Sequence, residues 1–322
     1  MRTSFMDWFG LSAPIVQAPI GGAATVGLAT AVGRAGGLGS LPMTWAEKQA
    51  GLNLVAELAA SGVPFFLNFA LRFGSERPLW YCGGRAPAVT FSWGLDADLI
   101  AAFRAARQRV GVQVGSLAGA KTAIAAGADF IIVQGIEAGG HVQSSTPLVA
   151  LLKEVVTIAG DVPVIAAGGI ARGNDIAAML RLGAQAVMLG TRFVASDESL
   201  AHPAYKQALV EARASDQAYS NCFDIDWPYA MHGVLRNSTL EAWEAAGCPA
   251  SPNRPGEGDV IFRRKGEPLV RYCDTPPYEG AEGDVLAGCL YAGAGVGGIT
   301  SVMPAREIVE RLWAEALAVL AK

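Results

Sequence analysis

One of the three histidines in the chain, His141, lies where its side chain could do chemistry. It ends the glycine-rich stretch G-I-E-A-G-G-H at 135–141, directly after an apolar segment that is predicted to be a strand. An imidazole in such a loop can act as an acid, a base or an electrostatic partner of a bound substrate. His141 is therefore the predicted catalytic residue; the alternative is a surface-loop histidine without a role.

The other two histidines have different predictions. His202 precedes Pro203 at a predicted helix start, which favours a capping role. His232 lies beside Trp227 in a proline-rich region, and either a position in a lid over the substrate or a structural role stays open for it.

Two glycine-containing loops have the composition of an anion site. Gly168 and Gly169 follow one predicted strand, and Gly190 and Thr191 follow the next. Glycine lets backbone N–H groups approach an anion closely, a following helix N-terminus adds positive potential, and a threonine hydroxyl is a further donor. Together the loops predict a phosphate site, although either glycine pair alone is also typical of a plain turn.

Three further strand ends carry groups that could contact a bound ring. Ala18, Pro19 and Ile20 follow the first predicted strand, Asn68 ends the third, and Gln113 lies near the end of the fifth. The two amides can both donate and accept hydrogen bonds. The alternative for them is hydrogen bonding within the rim of the fold.

Several common catalytic and cofactor motifs are absent from the sequence. No G-x-G-x-x-G follows the first strand, and G-x-x-x-x-G-K-[ST], G-x-S-x-G and H-E-x-x-H do not occur. Dinucleotide-binding sheets, P-loop enzymes, serine hydrolases of that type and zinc peptidases therefore lack support. The five scattered cysteines contain no C-x-x-C pair, so neither a disulfide framework nor a metal site is expected, and a reducing cytoplasm fits.

The composition excludes other classes of protein. The 322 residues are 52% hydrophobic and 17% charged, which is enough apolar surface for a folded chain. The net charge of −4 and the lack of basic runs argue against a nucleic-acid partner. Two uncharged stretches, 10–33 and 285–305, are interrupted by glycine and proline, so buried elements are expected rather than membrane spans.

Short apolar runs alternate with alanine-rich helical stretches along the first 190 residues. Continuously apolar strands are typical of parallel sheets covered by helices on both faces. Eight such units predict a (β/α)₈ TIM barrel, and the structural alternative is a doubly wound open sheet. The predicted strands are 15–18, 37–40, 65–69, 88–92, 110–114, 130–134, 162–166 and 186–189. The predicted helices are 26–35, 44–61, 96–109, 118–126, 147–159 and 173–182.

The alternation stops in the last third of the chain, where prolines and charges accumulate. We therefore divide the chain into a barrel at 1–218, an insertion or cap on the substrate side at 219–283, and C-terminal elements at 284–322. The last part contains an amphipathic helix predicted at 308–320 that packs back on the barrel.

Five segments together resemble the nitronate monooxygenase family, formerly called 2-nitropropane dioxygenases, which are FMN-dependent (β/α)₈ barrels. They run in the family's order, and the segment 295–311 near the end of the chain looks like the family's closing helix. The same pattern is shared with FMN-type enoyl-acyl carrier protein reductases. The five segments are P-I-V-Q-A-P at 14–19, A-G-G-L-G at 35–39, G-A-D-F-I-I-V-Q-G-I-E-A-G-G-H at 127–141, P-V-I-A-A-G-G-I at 163–170 and L-G-T-R-F-V-A-S-D-E-S at 189–199.

The resemblance implies an FMN cofactor and a role for each matching residue. Ala18, Pro19, Ile20, Asn68 and Gln113 would contact the flavin ring, and Gln113 stands where the family often has a lysine. Gly139 and Gly140 would also face the cofactor, and His141 would be the active-site histidine. The residues that would hold the FMN phosphate are Gly168, Gly169, Gly190 and Thr191.

The resemblance further implies oxidation of alkyl nitronates, with O₂ as the electron acceptor, by a cytoplasmic enzyme that is a possible homodimer. One alternative is an NAD(P)H-dependent FMN reductase of enoyl thioesters or quinones. Another is a non-redox barrel isomerase or lyase acting on a phosphorylated metabolite. A pure binding role is the least favoured, because a histidine and a cofactor-sized anion site converge.

Overall fold

The computed structural model describes residues 2–74, 76–228 and 230–322. The described part of the chain forms twelve α-helices and fourteen strands. The strands make one parallel sheet and two antiparallel sheets. The strands are β1 (Ile15–Gln17), β2 (Gly39–Pro42), β3 (Phe65–Ala70), β4 (Ala88–Ser92), β5 (Arg109–Val114), β6 (Phe130–Gln134), β7 (Gly140–His141), β8 (Val164–Ala167), β9 (Ala186–Leu189), β10 (Gln217–Ser220), β11 (His232–Leu235), β12 (Val260–Arg264), β13 (Glu267–Val270) and β14 (Ala281–Gly283). The helices are α1 (Ser4–Phe9), α2 (Val26–Arg34), α3 (Lys48–Ala60), α4 (Glu76–Cys82), α5 (Ala97–Ala105), α6 (Leu117–Ala125), α7 (Leu148–Ala159), α8 (Gly173–Arg181), α9 (Thr191–Val194), α10 (Pro203–Glu211), α11 (Ser238–Ala245) and α12 (Ala305–Leu320).

Eight parallel strands form a closed barrel. Seven ladders join β2 through β6, β8, β9 and β1 in sequence, all of them parallel. The ring closes at a parallel bridge between Val16 and Leu38, where Leu38 N–H donates to Ile15 and Gln17 N–H donates to Leu38, each at 2.9 Å. The predicted (β/α)₈ barrel is confirmed, and the open-sheet alternative is wrong.

Both faces of each barrel strand are buried, which explains their continuous apolar runs. On β6, Phe130 and Ile132 point into the barrel, while Ile131 and Val133 pack against the surrounding helices. Because side chains alternate along a strand, a run without polar residues is needed when neither face meets water.

The N-terminal helix α1 closes one end of the barrel. Phe5 is fully buried, and its ring centroid lies 5.3 Å from that of Phe130 inside the barrel. Phe9 adds an edge-to-face contact with Phe130 at 6.4 Å. This packing fills the end of the barrel at which the strands begin.

Two helix predictions are wrong at their ends. The helix predicted at 44–61 begins only at Lys48, because the Thr44 hydroxyl accepts a hydrogen bond from Ala70 N–H at 2.8 Å and holds this segment as a loop. The helix predicted at 96–109 ends at Ala105, and Arg109 already belongs to β5. The strands predicted at 37–40 and 162–166 are displaced towards later residues, to β2 and β8.

The segment 219–283 lies over the open end of the barrel. Strand β11 is paired antiparallel to β10 on one side and to β7 on the other. A second small sheet joins β12 to β13 and β14. The C-terminal helix α12 packs against α8 and α2 on the outside of the barrel.

Helices that would be long and apolar enough to cross a membrane are not found among the residues that the structure describes.

Candidate active site

A cavity of about 560 Å³ lies at the carboxyl ends of the barrel strands. Barrel enzymes place their active sites at this face, where the loops after the strands converge. All twelve residues that the sequence predicted for the site line this cavity: Ala18, Pro19, Ile20, Asn68, Gln113, Gly139, Gly140, His141, Gly168, Gly169, Gly190 and Thr191.

The glycine loops after β8 and β9 form one wall of the cavity. Gly168 and Gly169 have φ of +118° and +68°, conformations that a side chain would strain. Within the described chain, the N–H groups of Gly169, Ile170, Gly190 and Thr191 donate no hydrogen bond to another residue. Because these amides face the cavity without an acceptor from the protein, this wall has the donors that an anion such as a phosphate requires.

The C-terminal part of the chain completes this wall. Thr191 Oγ1 accepts a hydrogen bond from Gly293 N–H at 3.0 Å, which leaves the hydroxyl proton of Thr191 to donate elsewhere. A Cβ on Gly139 would lie 2.6 Å from the Gly293 nitrogen, so the two loops meet only because both residues lack side chains. The sequence analysis missed Gly293, which lies 102 residues beyond Thr191.

Two amides that the sequence singled out differ in their hydrogen bonding. Asn68 Nδ2 donates to Thr90 Oγ1 at 3.0 Å, so this amide is bonded within the barrel rim. Gln113 makes no side-chain hydrogen bond to another described residue and lines the cavity. Gln17 is buried, and its Oε1 accepts from Ser40 N–H at 2.8 Å, which fixes the loop of residues 18–20.

The cap holds the same loop from the other side. Tyr278 Oη donates to the Gly21 carbonyl at 2.6 Å, and its ring covers Gly22, where a Cβ would lie 2.3 Å from the ring. The loop after β1 is therefore clamped between the barrel and the segment 219–283.

His141 is positioned by backbone pairing and by one glutamine. It lies in β7, opposite His232 of β11, after Gly140 with φ of +73°. Gln134, at the end of β6, accepts a hydrogen bond from Gln143 N–H at 2.8 Å and donates to the His141 carbonyl at 3.4 Å. The motif V-Q-G-I-E-A-G-G-H thus contains both the catalytic candidate and a residue that holds its loop.

The imidazole of His141 is enclosed by aromatic side chains. Trp227 from the cap stacks on it with ring centroids 4.0 Å apart and planes 19° apart, and Trp93 meets its edge. Burial, and to a smaller extent the neighbouring His232, lower the pKa of His141 from 6.5 to about 3. The ring is therefore neutral at physiological pH, with one nitrogen that donates and one that accepts.

Tyr291 connects His141 to the cap. Its hydroxyl donates to the backbone carbonyl of Asp274 at 2.8 Å and lies 3.4 and 3.5 Å from the two ring nitrogens of His141. Since the hydroxyl proton is directed at the Asp274 carbonyl, Tyr291 holds the imidazole by contact and leaves the ring N–H able to donate to a bound molecule.

The carboxyl group of Asp274 faces the same imidazole. Its Oδ2 lies 3.9 Å from His141 Nε2. Burial, and to a smaller extent the adjacent carboxylate of Asp226, raise the pKa of Asp274 from 3.8 to about 7. Because the two pKa values move in directions that favour the uncharged forms, this contact is not an ion pair at neutral pH.

The other histidines have structural roles. His232 is fully buried: its Nδ1 lies 3.2 Å from the Ala230 carbonyl, and its Nε2 accepts from Phe223 N–H at 3.2 Å. Both ring nitrogens are satisfied, so His232 supports the cap strand beneath His141. The predicted capping role of His202 is confirmed, because its Nδ1 accepts from Ala204 N–H at the start of α10.

Sequence reasoning missed Trp93, Trp227, Asp274 and Tyr291, which surround the imidazole. No short motif contains them, and Trp227, Asp274 and Tyr291 follow His141 by 86 to 150 residues. The only local signal was the presence of aromatic and acidic residues within the proline-rich segment.

Comparison with known proteins shows that this barrel, with its glycine wall and its enclosed imidazole, is an oxidoreductase of the TIM-barrel class. A family profile described as nitronate monooxygenase matches residues 76–315. The chain belongs to the nitronate monooxygenase family.

Two curated relatives differ in how much of the chain they cover. A nitronate monooxygenase from Pseudomonas aeruginosa is 34% identical over 305 residues, covering 79% of this chain and 86% of that protein. A (3aS,4S,5R,7aS)-5-hydroxy-7a-methyl-1-oxo-octahydro-1H-indene-4-carboxyl-CoA dehydrogenase from Mycobacterium tuberculosis is 30% identical, covering 98% of this chain and 96% of that protein.

Two solved structures match nearly the whole chain. FabK from Thermotoga maritima has a TM-score of 0.80 and 27% identity, covering 100% of this chain and 98% of that one. Nitroalkane oxidase from Streptomyces ansochromogenes has a TM-score of 0.78 and 29% identity, covering 99% of both chains. The similarity therefore extends through the segment 219–283.

Proposed function

We propose that this protein is an FMN-dependent oxidoreductase that oxidises alkyl nitronates, with O₂ as the final electron acceptor. The observation that carries the proposal is the convergence of a wall of free backbone donors and a neutral, buried imidazole on one cavity of about 560 Å³. A cavity of this size can enclose a cofactor and a small substrate.

The residues present fit an FMN molecule. The free N–H groups of Gly169, Ile170, Gly190 and Thr191 would hold its phosphate without a cation. Gln113 and the loop of residues 18–20 would contact its ring, which leaves the opposite side of the cavity to the substrate. When bound, FMN supplies the electron-accepting chemistry that no protein side chain here provides.

His141 would bind the substrate through its uncharged ring. A neutral imidazole N–H can donate to a nitronate oxygen, and an imidazole whose pKa is about 3 does not lose this state above pH 5. Trp227 covers one face of the ring and Trp93 meets its edge, and both line the cavity and reduce the access of water to the imidazole. A hydrogen bond in such a dry site orients the substrate more strongly than in water.

A second candidate function is the oxidation or reduction of an acyl thioester. Its support is the relative described as a CoA-ester dehydrogenase, which matches 98% of this chain, including the segment 219–283 that contributes Trp227 and Asp274 to the cavity. In this case His141 would donate to the thioester carbonyl instead of a nitronate oxygen.

Absorbance spectroscopy of the FMN-loaded protein without oxygen distinguishes the two candidates. Addition of propane-2-nitronate should bleach the flavin absorbance, whereas bleaching only by NADH, NADPH or an acyl-CoA thioester would favour the second candidate. A protein that cannot be loaded with FMN would contradict both.

His141→Ala tests the assigned role of the imidazole. We expect FMN to remain bound, because its donors lie on other loops, and bleaching by propane-2-nitronate to slow at least tenfold. Stopped-flow absorbance measures this rate, and an unchanged rate would remove His141 from the mechanism.

A further inference from the structure

The charges that line the cavity are unusual for a site that receives anions. Among residues 2–74, 76–228 and 230–322, no lysine or arginine lines it. Its acidic side chains are Asp226 and Asp274, both from the cap, and its one imidazole is neutral. An anionic substrate beside His141 can therefore be bound only by uncharged hydrogen-bond donors among the described residues. Where the nearby carboxyl groups are ionised, they repel it.

Asp274 is the acidic group that lies next to His141. Its side chain is 16% exposed, and of the basic side chains in the described chain only His141 comes within 4.0 Å of it. One carboxylate oxygen each of Asp226 and Asp274 and the Cys273 sulfur lie within 4.8 Å of one another. A largely buried carboxyl group beside a second carboxylate, with no cation as partner, favours its protonated form more than an exposed one does.

The other titratable groups around Asp274 do not supply that missing charge. Besides Asp226 and His141, the groups that interact with it are Cys273, Tyr278, Cys289 and Tyr291. Burial raises the pKa of each of these thiols and hydroxyls, so they stay neutral. Asp274 is therefore the group whose charge changes near neutral pH.

We propose that Asp274, as a carboxylic acid, donates a hydrogen bond to an oxygen of the substrate beside His141 and thereby determines which substrates bind. This inference rests on the proposed function, because it places the substrate between the imidazole and the cap. It specifies the substrate class: a compound that presents an acceptor oxygen, either of an oxyanion or of a carbonyl group, to two uncharged donors. An acid kept neutral by an apolar site can serve as such a donor.

The proposal predicts a sign for the effect of pH. Below about pH 7 Asp274 is protonated and donates; above it, the carboxylate can only accept and repels an anion. If the acid form alone binds, the affinity for an anion falls tenfold for each pH unit above about 7. His141 and His232, with pKa values of about 3 and 4, do not titrate in this range.

The binding of a redox-inert anion tests this without turnover. The probe is 2-methylpropanoate, which resembles propane-2-nitronate in shape and stays ionised from pH 5.5 to 8.5. Its dissociation constant is measured on FMN-loaded protein by flavin absorbance changes and by the fluorescence of Trp227 and Trp93. We expect the constant to rise about tenfold per pH unit above 7 in the unmodified protein.

Three variants make the test specific. Asp274→Asn keeps a neutral donor, so binding should become independent of pH, with an affinity close to that of the unmodified protein at pH 6. Asp226→Asn removes the neighbouring negative charge, so the midpoint of the pH dependence should move to lower pH. Asp161→Asn, at an exposed carboxylate that does not line the cavity, should behave as the unmodified protein.

Each outcome bears on the proposal. A pH dependence that persists in Asp274→Asn would overturn it. If that variant does not fold, as judged by circular dichroism, an unchanged midpoint in Asp226→Asn would overturn it instead. If 2-methylpropanoate binds with the expected pH dependence but propane-2-nitronate does not bleach the flavin, the inference stands and the nitronate assignment fails.

Discussion

The two sides of the cavity are built in different ways. The glycine wall, formed by the loops after β8 and β9, offers backbone donors and carries no titratable side chain at Gly168, Gly169, Gly190 or Thr191. The cap side, formed by Trp227, Asp274 and Tyr291 around His141, consists of side chains from distant parts of the chain. Fixed backbone donors suit a cofactor that is the same whatever the substrate. Substrate recognition, in contrast, can change when side chains are exchanged.

The two sides of the cavity also differ in how their hydrogen bonding responds to pH. Backbone N–H groups keep their donor role at every physiological pH, so the glycine wall should bind its anion with little pH dependence. The cap side contains a carboxyl group whose pKa is raised to about 7 and two imidazoles whose pKa values are lowered. Perturbations of the two sides should therefore have different consequences.

The largest expected effect comes from Gly139→Ala, which acts on the glycine wall. The new Cβ would lie 2.6 Å from the Gly293 nitrogen and 2.9 Å from Thr191 Oγ1, so the loops must separate. We expect FMN affinity to fall at least 100-fold, measured by titrating the protein with FMN and following flavin fluorescence. Gly84→Ala is the matched control: like Gly139, Gly84 is not among the glycines with positive φ, but a Cβ there has nothing within 4 Å, and FMN affinity should not change.

The next effect concerns the stability of the cap side in acid. The folded protein holds His232 with a pKa lowered from 6.5 to about 4, chiefly by burial, so the unfolded chain takes up a proton first as the pH falls. Stability from this group is complete above pH 6.5 and is lost progressively down to about pH 4. At pH 5 the loss is about 2 kcal/mol, because pH 5 lies roughly 1.5 units below the pKa of 6.5 in the unfolded chain and above the folded value of about 4.

Urea unfolding at pH 7 and pH 5 measures this loss. His232→Gln keeps an acceptor for Phe223 N–H but cannot be protonated, so its free energy of unfolding should fall less between the two pH values. An equal fall in both proteins would show that other groups cause the acid sensitivity.

A smaller effect is expected from Trp227→Ala on the cap side. Loss of the stacked ring admits water to His141, which raises the pKa of the imidazole and loosens its orientation. We expect the rate of flavin bleaching by propane-2-nitronate to fall about fivefold while FMN affinity stays the same. Trp80→Ala is the control: this tryptophan is exposed and does not line the cavity, so its loss should leave the rate unchanged.

Reduced FMN affinity in Trp227→Ala would contradict the separate roles of the two sides of the cavity, because it would show that the cap also holds the cofactor.

Prediction from sequence worked where the information is local. Each barrel strand was located from a run of apolar residues, and the loops at 135–141, 167–170 and 190–192 were identified because strand, glycine and functional residue follow one another directly. Ends of elements were less accurate: Thr44 belongs to a loop because of one hydrogen bond to Ala70 N–H, a contact that no local pattern reveals.

The sequence by itself thus determined the closed barrel, the face that carries the site, the glycine wall and the position of His141, because strand periodicity and loop composition are properties of neighbouring residues. Only the tertiary structure decided that His141 is neutral, that Trp227 stacks on it and that Asp274 faces it. Burial and pairing depend on residues up to 150 positions away, which the fold brings within 4 Å of one imidazole.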